Sequence, residues 1–277
     1  MRAPLAGFSI VNLAVNLPGP LAAYQLTNLG ATVIKVEPLQ GDPLKLASPE
    51  FYKLLSRQQK IVSLDLKNQR DRQILAGYLE KSDLLITASR PQALEKLSLG
   101  WNSLHAQHPK LCLLRIVGFA PPNQNKVGHD LTYQAFAGLL DPPKMPIMCV
   151  ADFSGAQEAS LQTISLLLER ERTGAANFAE VSLFESAQYY GWARKFGLTA
   201  RPGLLSGTHP EYQIYRAKTG WVAVATLEEH FKTRLQNLLQ LEEMNEGELE
   251  RVFRKRTAKE WQVWADENDL PIAEIDC

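Results

Sequence analysis

The sequence predicts an α/β fold, a parallel sheet covered by helices on both faces, with a small α+β domain after it. In the first two-thirds of the 277 residues, apolar runs of strand length alternate with segments of helical spacing. After Ala200 the pattern changes to two adjacent strand-like runs followed by charged helical segments. Because strand–helix alternation is typical of Rossmann-like parallel sheets, we predict a large α/β domain at residues 1–200 and a small α+β domain at residues 201–277.

The first three elements are predicted as strand, helix and strand. The apolar run GFSIVNLAV indicates a buried first strand rather than a signal peptide, and the turn PGP ends it. The helical spacing of LAAYQLTNLG stops at Gly30, and glycine is common just past a helix end. ATVIKVE is the second strand, closing on Glu37.

The later elements continue the alternation. A long helix is predicted from about Phe153 to Glu171, followed by a turn and a strand in RTGAANFAEVSL. In the small domain, EYQIYRAKTGWVAVAT indicates two strands around a turn at residues 218–220, and the remainder is predicted to be helical. The other predicted segments are the strands KIVSLDL, DLLITAS and LCLLRIVGF, with a helix through DRQILAGYLEKS and a short helix before the last of these strands.

Composition excludes several classes of function. Lysine plus arginine equals aspartate plus glutamate at 30 each, so we expect neither nucleic acid nor an anionic membrane as a partner. No apolar stretch reaches the roughly 20 residues that span a bilayer. Cys112, Cys149 and Cys277 lack paired spacing and nearby histidine clusters. We therefore expect a reducing, cytoplasmic location and no structural metal.

The first three elements raise the hypothesis of a dinucleotide site, because a strand, a glycine-containing turn and a helix are followed by a strand that ends in an acid. Glu37 is placed where such a site holds a ribose hydroxyl. The turn NLPGPLAA, however, has one glycine where the G-x-G-x-x-G fingerprint has three, and Pro20 removes a backbone N–H. The sheet class is retained, and a nicotinamide cofactor is not expected.

Two charged groups precede helical runs, in GHD at residues 128–130 and in VADFSGA around Asp152. An aspartate at a helix start is most often an N-cap, and this is our interpretation of Asp130. From the residues alone, Asp152 is either a cap or a catalytic acid, and His129 is an ordinary partly buried histidine. The alternatives stay open at this level.

Motifs in a fixed order run over nearly the whole chain. The opening segment carries VIKVEP and GDP, and it is followed by IVSLDLK, SRPQALEKLSLGWNSL, RIVGF, GHDLTYQAFAGLL, VADFSGA, RERTG and YRAKTGWVAVATLEEHF. Together these motifs resemble the class III CoA-transferase family of CaiB/BaiF type, which includes the α-methylacyl-CoA racemases.

The resemblance implies catalytic roles for three residues. The family aspartate matching Asp152 is a nucleophile in the transferases and one of two bases in the racemases. The histidine matching His129 is the other racemase base, and transferases more usually carry GYD at this motif, so GHD favours a racemase. Glu228 matches an acid that orients the histidine, although it also fits a helix-start carboxylate.

Removal of a proton from the carbon next to a thioester carbonyl requires that the enolate oxygen be stabilised. We expect a backbone N–H at the start of the helix after Asp152 to do this. Histidine and carboxylate side chains can both exchange protons near neutral pH. The expected partner is an acyl-CoA, with no cofactor beyond the CoA of the substrate thioester.

The resemblance also implies residues that bind CoA, each of which is otherwise an ordinary surface position. Basic side chains suit the CoA phosphates. The chain departs from the family in lacking the usual aromatic residue at Ala88–Ser89 and in carrying Leu17 in a turn that commonly holds smaller or polar residues. The candidate contacts are Leu17, Arg57, Lys67, Ala88, Ser89, Arg90 and Lys96.

Length is a further departure. Family members continue beyond the segment matching WADENDLPIAEID, so a C-terminal return segment is expected to be absent. Family dimers interlock, and a homodimer is therefore expected here without interlocking being assured. Three functions follow: an α-methylacyl-CoA racemase, a CoA-transferase using Asp152, or a non-catalytic protein that binds an acyl-CoA or a partner.

Overall fold

The computed structural model of the chain describes residues 3–275, so Cys277 lies outside the described residues. The chain divides into two compact units between Gly191 and Trp192. The predicted boundary after residue 200 falls within the second unit. None of the helices formed by the described residues is long and apolar enough to cross a membrane.

The first unit contains a six-stranded, wholly parallel sheet, which confirms the predicted fold class. The strand order is β3-β2-β1-β4-β5-β6. The chain adds strands on one side of β1 as far as β3, and it then adds β4, β5 and β6 on the other side. Ligands of open α/β sheets bind at the point where the direction reverses, which here lies between β1 and β4. The strands are β1 (Ser9–Asn12), β2 (Thr32–Glu37), β3 (Lys60–Ser63), β4 (Leu84–Thr87), β5 (Cys112–Val117) and β6 (Phe178–Ser182).

Helices connect these strands. Local sequence explains several of their ends: Pro18 begins α1, Asn68 caps α4 by accepting the Arg70 N–H at 2.9 Å, and Gly174 ends α8 with a φ of 75°. The sequence patterns did not predict α2, α3 or α9. The helices are α1 (Pro18–Asn28), α2 (Leu44–Ala47), α3 (Pro49–Leu55), α4 (Gln69–Leu79), α5 (Pro91–Lys96), α6 (Trp101–Gln107), α7 (Asp130–Phe136), α8 (Val150–Thr173) and α9 (Leu183–Tyr190).

Alternate side chains of the central strands enter two hydrophobic cores. Ile10 and Ile86 face the core that includes residues of α1 and α8, whereas Val11 and Leu85 face the core that includes residues of α4 and α6. All four are fully buried. Each such side chain contributes about 1.5–3 kcal/mol when buried. The sheet is thus a rigid platform whose strand ends are held in place from both sides.

The second unit is a three-stranded antiparallel sheet with helices, in the order β7-β8-β9. Trp261 lies at its core, and its indole N–H donates to the Phe253 carbonyl at 2.7 Å. The prediction that the chain after β8 is wholly helical is wrong, because the last four described residues pair with β8 as a strand. The elements are α10 (Trp192–Lys195), β7 (Tyr212–Arg216), β8 (Trp221–Ala225), α11 (Glu229–Leu239), α12 (Glu246–Phe253), α13 (Ala258–Glu267) and β9 (Ile272–Ile275).

Candidate active site

A cavity of about 460 Å³ opens at the carboxyl edge of the parallel sheet, where the strand order reverses. Its walls come from the segments after β1 and β4, at residues 15–18 and 88–90, and from the end of β5, at residues 116–118. The segment around α2, the loop before α7, and the starts of α7, α8 and α9 also line it. The sheet therefore brings together residues that are far apart in the sequence.

A second cavity of about 470 Å³ adjoins the first one. Val15 and Ser89 line both cavities, so the two are neighbours along the strand ends. The second cavity is otherwise lined by the segments that follow β2 and β3, at residues 37–40 and 64–67, and by leucines around α5. Both cavities are lined mainly by apolar residues with a few polar groups, as is typical of cofactor and ligand sites.

Asp152 and His129 both line the first cavity. Asp152 is the third residue of α8 and is half-buried, and His129 stands in the N-cap position of α7 with an exposed side chain. The His129 backbone N–H donates to Thr132 Oγ1 at 3.0 Å, which fixes the chain at this point. The two residues that the sequence motifs singled out therefore open onto one space.

Burial raises the pKa of the Asp152 carboxyl to about 7, and the negative charge of Asp130 adds to the rise. Both effects disfavour the ionised form, the first because water is excluded and the second because like charges repel. A carboxyl group with a pKa near neutral can both accept and return a proton at neutral pH. Asp152 is thus chemically distinct from an ordinary surface aspartate.

Asp130 plays a different part from the predicted one. It is the first residue of α7 rather than its N-cap, and its carboxylate accepts the backbone N–H of Asp152 at 3.1 Å. Its other oxygen accepts from the Gln134 amide, which also donates to the Met148 carbonyl at 2.8 Å. The Asp130 carboxylate therefore caps the start of α8, and it caps no backbone N–H of its own helix among the described residues.

The predicted oxyanion donor is also corrected. The Asp152 N–H is bonded to Asp130, and the following N–H, of Phe153, donates to the Cys149 carbonyl at 3.0 Å. Asp152 lies inside the first turn of α8 instead of just before it, and both of these N–H groups already have acceptors within the protein.

Tyr133 lines the same cavity and is only 4% exposed. The sequence motifs did not indicate a role for it. Burial and the charge of Asp152 raise the pKa of its phenol, while Arg90 opposes the rise. From the sequence alone, Tyr133 is one apolar position of a short helix and would be interpreted as a residue of the hydrophobic core. Its contacts with Gly118 and Gly128 are the signal that distinguishes it.

The predicted CoA contacts divide into two groups. Leu17, Ala88, Ser89 and Arg90 line the first cavity, Ser89 also lines the second, and Lys67 lines the second alone. Neither set of lining residues includes Arg57 or Lys96, whose side chains are exposed at or after the ends of α3 and α5. Glu228 belongs to the second unit, where it holds the N-cap position of α11.

A buried ion cluster shapes the wall of the first cavity. Asp42 accepts the N–H groups of Asn16 and Leu44, both at 2.9 Å, and these two residues line the cavity. The Lys35 ammonium lies 2.6 Å from the other oxygen of Asp42 and 3.1 Å from Glu37. The side chains of the three charged residues are at most 5% exposed. Asp42 thus joins the turn after β1 to the start of α2.

Sequence comparisons identify relatives with two kinds of activity. The model of CoA-transferase family III matches residues 5–276. The alpha-methylacyl-CoA racemase of Homo sapiens is 28% identical, over 98% of this chain and 77% of that protein. The alpha subunit of the succinyl-CoA–L-malate CoA-transferase of Chloroflexus aurantiacus is 29% identical, over 92% of this chain and 66% of the subunit.

Solved structures share the fold. A hypothetical protein from Mycobacterium tuberculosis superposes with a TM-score of 0.86 at 24% identity, over 99% of this chain and 84% of that chain. A CaiB/BaiF family protein from Brucella suis gives a TM-score of 0.86 at 22% identity, over 100% of this chain and 85% of that chain. With the family model matching nearly the whole sequence, this chain belongs to CoA-transferase family III.

Proposed function

We propose that the protein racemises the α-carbon of a 2-methylacyl-CoA thioester, with Asp152 and His129 as the two bases. The observation that carries the proposal is that both side chains line one cavity and that the pKa of Asp152 there is raised to about 7. One group removes the α-proton, leaving an enolate, and the other returns a proton to the opposite face. Each well-placed acid or base contributes about 10²–10⁴-fold to such a reaction.

The adjoining cavities support CoA as the carrier of the acyl group. In this proposal the thioester lies in the first cavity beside Asp152, and the CoA extends past Ser89 into the second cavity, where Lys67 is placed for a phosphate. Proton transfer between two side chains needs no cofactor besides the CoA of the thioester. Glu228 stays a proposed partner of His129.

A CoA-transferase is the second candidate, favoured by the similarity to a succinyl-CoA–L-malate CoA-transferase subunit. In this reaction an ionised Asp152 attacks the thioester carbonyl carbon and CoA thiolate leaves, giving a mixed anhydride. The thiolate then attacks the aspartyl carbonyl of the anhydride, which releases the donor carboxylate and leaves an aspartyl-CoA thioester. The acceptor carboxylate attacks this thioester, and the departing thiolate attacks the acceptor carbonyl of the new anhydride, which gives the product thioester and frees Asp152. The ionised form that this attack needs is in exchange with the protonated form at neutral pH, because the pKa of Asp152 is about 7. His129 has no required part in this chemistry.

The test is α-proton exchange on a single enantiomer of a 2-methylacyl-CoA in deuterium oxide, followed by NMR and by chiral analysis of the acyl group. We expect exchange with racemisation in the wild type and loss of at least 100-fold in both Asp152→Asn and His129→Ala. Asp141→Asn is the matched control, since Asp141 is an exposed acid paired with Lys144 and lines neither cavity.

The outcomes separate the candidates. CoA transfer to a free carboxylic acid that needs Asp152 but survives His129→Ala, without α-exchange, would replace the racemase by the transferase. If neither reaction occurs while CoA still binds, the protein is a non-catalytic acyl-CoA-binding member of its family.

A further inference from the structure

We propose that the Tyr133 hydroxyl donates the hydrogen bond that stabilises the thioester oxygen when it becomes negatively charged. This inference rests on the proposed function. It supplies a donor in place of the N–H groups of Asp152 and Phe153, which are bonded within the protein.

Two glycines hold the Tyr133 ring in position. A Cβ atom on Gly118 would lie 2.3 Å from the Tyr133 hydroxyl oxygen, and one on Gly128 would lie 2.4 Å from the ring. Neither distance is possible for a real side chain, so both positions must lack one for the ring to lie where it does. Gly118 directly follows β5, and Gly128 directly precedes His129. The ring is therefore wedged between a strand end and the loop that carries His129.

Core packing fixes the other sides of the ring. Phe119 contacts it edge to face with the ring centroids 5.3 Å apart. The Tyr133 backbone N–H donates to the His129 carbonyl at 3.1 Å in the first turn of α7. Catalysis by hydrogen bonding requires donors that do not have to reorganise during the reaction, and a ring held in this way meets that requirement.

The hydroxyl itself is free to bind a ligand. Within residues 3–275 it makes no hydrogen bond to the protein, although the residue is 96% buried and lines the cavity beside Asp152. The hydroxyl oxygen is not one of the fully enclosed polar atoms, so it is reached from the cavity, where a ligand can accept its hydrogen bond. Burial and Asp152 raise the pKa of the phenol, so the group stays protonated and remains a donor near neutral pH.

The electron balance is the same for both candidate reactions at this oxygen. In racemisation the α-proton moves to Asp152 or His129, the C–H pair forms the carbon–carbon double bond of the enolate, and the carbonyl π pair moves onto oxygen. In transfer, Asp152 bonds to the carbonyl carbon and the same π pair moves onto the same oxygen. Tyr133 keeps its proton in each case. The proposed role therefore does not depend on which reaction the protein performs.

Tyr133→Phe tests the proposal, because phenylalanine keeps the ring between the two glycines and removes only the oxygen. We expect kcat to fall about 10²–10³-fold, as for the loss of one oxyanion donor. The Kd for CoA alone, the KM and the melting temperature should stay near the wild-type values. Tyr78→Phe is the matched control, since Tyr78 is a half-buried tyrosine that lines neither cavity.

Gly118→Ala provides a second, independent measurement. Its methyl group would displace the Tyr133 hydroxyl, so we expect a lower kcat in the wild-type background and a much smaller loss in the Tyr133→Phe background. An equal loss in both backgrounds would mean that the methyl group only obstructs the cavity.

The results separate this inference from the function on which it rests. A wild type that is active, with Tyr133→Phe retaining a third or more of kcat, overturns the role of Tyr133 and leaves the proposed function standing. A wild type inactive in both racemase and transferase assays overturns both.

Discussion

At the scale of single residues, the site contains two aspartates with different surroundings and different roles. Asp130 has both oxygens in hydrogen bonds to the protein, to the Asp152 N–H and to Gln134. Asp152 has a buried carboxyl, and its pKa of about 7 reflects that burial and the charge of Asp130. Neighbouring acids whose environments separate their pKa values commonly divide structural and proton-transfer roles. Asp130 thus positions α8 and also adjusts the proton affinity of Asp152.

The pH dependence of the proposed reaction follows from this pair. For the enantiomer whose proton Asp152 removes, kcat/KM should rise with pH through about 7, because Asp152 must be ionised. Asp130→Asn removes the negative charge that raises this pKa but keeps an oxygen for the Asp152 N–H. We therefore expect the rising limb to move to lower pH.

The measurement is a pH–kcat/KM profile of both proteins between pH 5 and pH 9 at about 0.1 M salt. If the rising limb of the Asp130→Asn profile lies at the same pH as in the wild type or at a higher pH, the charge of Asp130 does not raise the pKa of Asp152. Asp141→Asn should leave the profile unchanged, because Asp141 pairs with Lys144 and does not contribute to the raised pKa of Asp152.

At the scale of elements, the cavity depends on turns held by a buried ion cluster. Asp42 connects the turn after β1 to α2, and it is itself held by Lys35 from the middle of β2. Glu37 completes the cluster and accepts a hydrogen bond from Tyr52 of α3 at 2.8 Å. The cluster contains two carboxylates and one ammonium group. Lys35 is accordingly the member on which the other two depend.

Unequal stability effects should reveal this dependence. Lys35→Met leaves two buried carboxylates without a cation, and we expect it to lower the free energy of unfolding by about 3–5 kcal/mol. Asp42→Asn keeps an acceptor for the Asn16 and Leu44 N–H groups and leaves Lys35 paired with Glu37, so a smaller loss of about 1–3 kcal/mol is expected.

Urea unfolding at pH 7 measures both values. If Asp42→Asn proves the more destabilising of the two, the charge argument is wrong and the backbone hydrogen bonds of Asp42 dominate. Asp65 is a half-buried acid after β3 whose carboxylate accepts the Lys67 N–H at 3.0 Å. Asp65→Asn would show the cost of removing such a charge where there is no buried cation.

At the scale of the whole molecule, the sequence was sufficient to predict the sheet and its covering helices. The strands of the first unit are short apolar runs with distinct breaks, and each lies close to its predicted position. The pattern failed for α2, α3, α9 and β9, which are four to eight residues long. Elements of this length show too little periodicity to be recognised, and β9 forms because β8 offers it an edge.

The site was partly predictable for a comparable reason. His129 and Asp152 stand in motifs that can be read locally, and both line the cavity. The Asp130 contact spans 22 residues and the Tyr133 contact with Gly118 spans two elements, so no local pattern contains them. Arg57 and Lys96 show the opposite case, since basic residues are common on helix surfaces and these two line neither cavity.

The stability of the molecule should reflect the raised pKa of Asp152. The carboxyl has a pKa of about 7 in the folded protein and about 3.9 when unfolded, so the folded state binds the proton more tightly. Its contribution to stability is therefore complete below about pH 4 and is lost as the pH rises through 7. Asp152→Asn removes this loss, because the amide does not ionise.

We expect the variant to be more stable than the wild type at pH 8, by a few kcal/mol at most, and equally stable near pH 4. Thermal unfolding at the two pH values checks the sign, with Asp141→Asn as the control. A variant less stable than the wild type at pH 8 would show that the ionised Asp152 is stabilised in the fold, and a proton-transfer role at neutral pH would lose its physical basis.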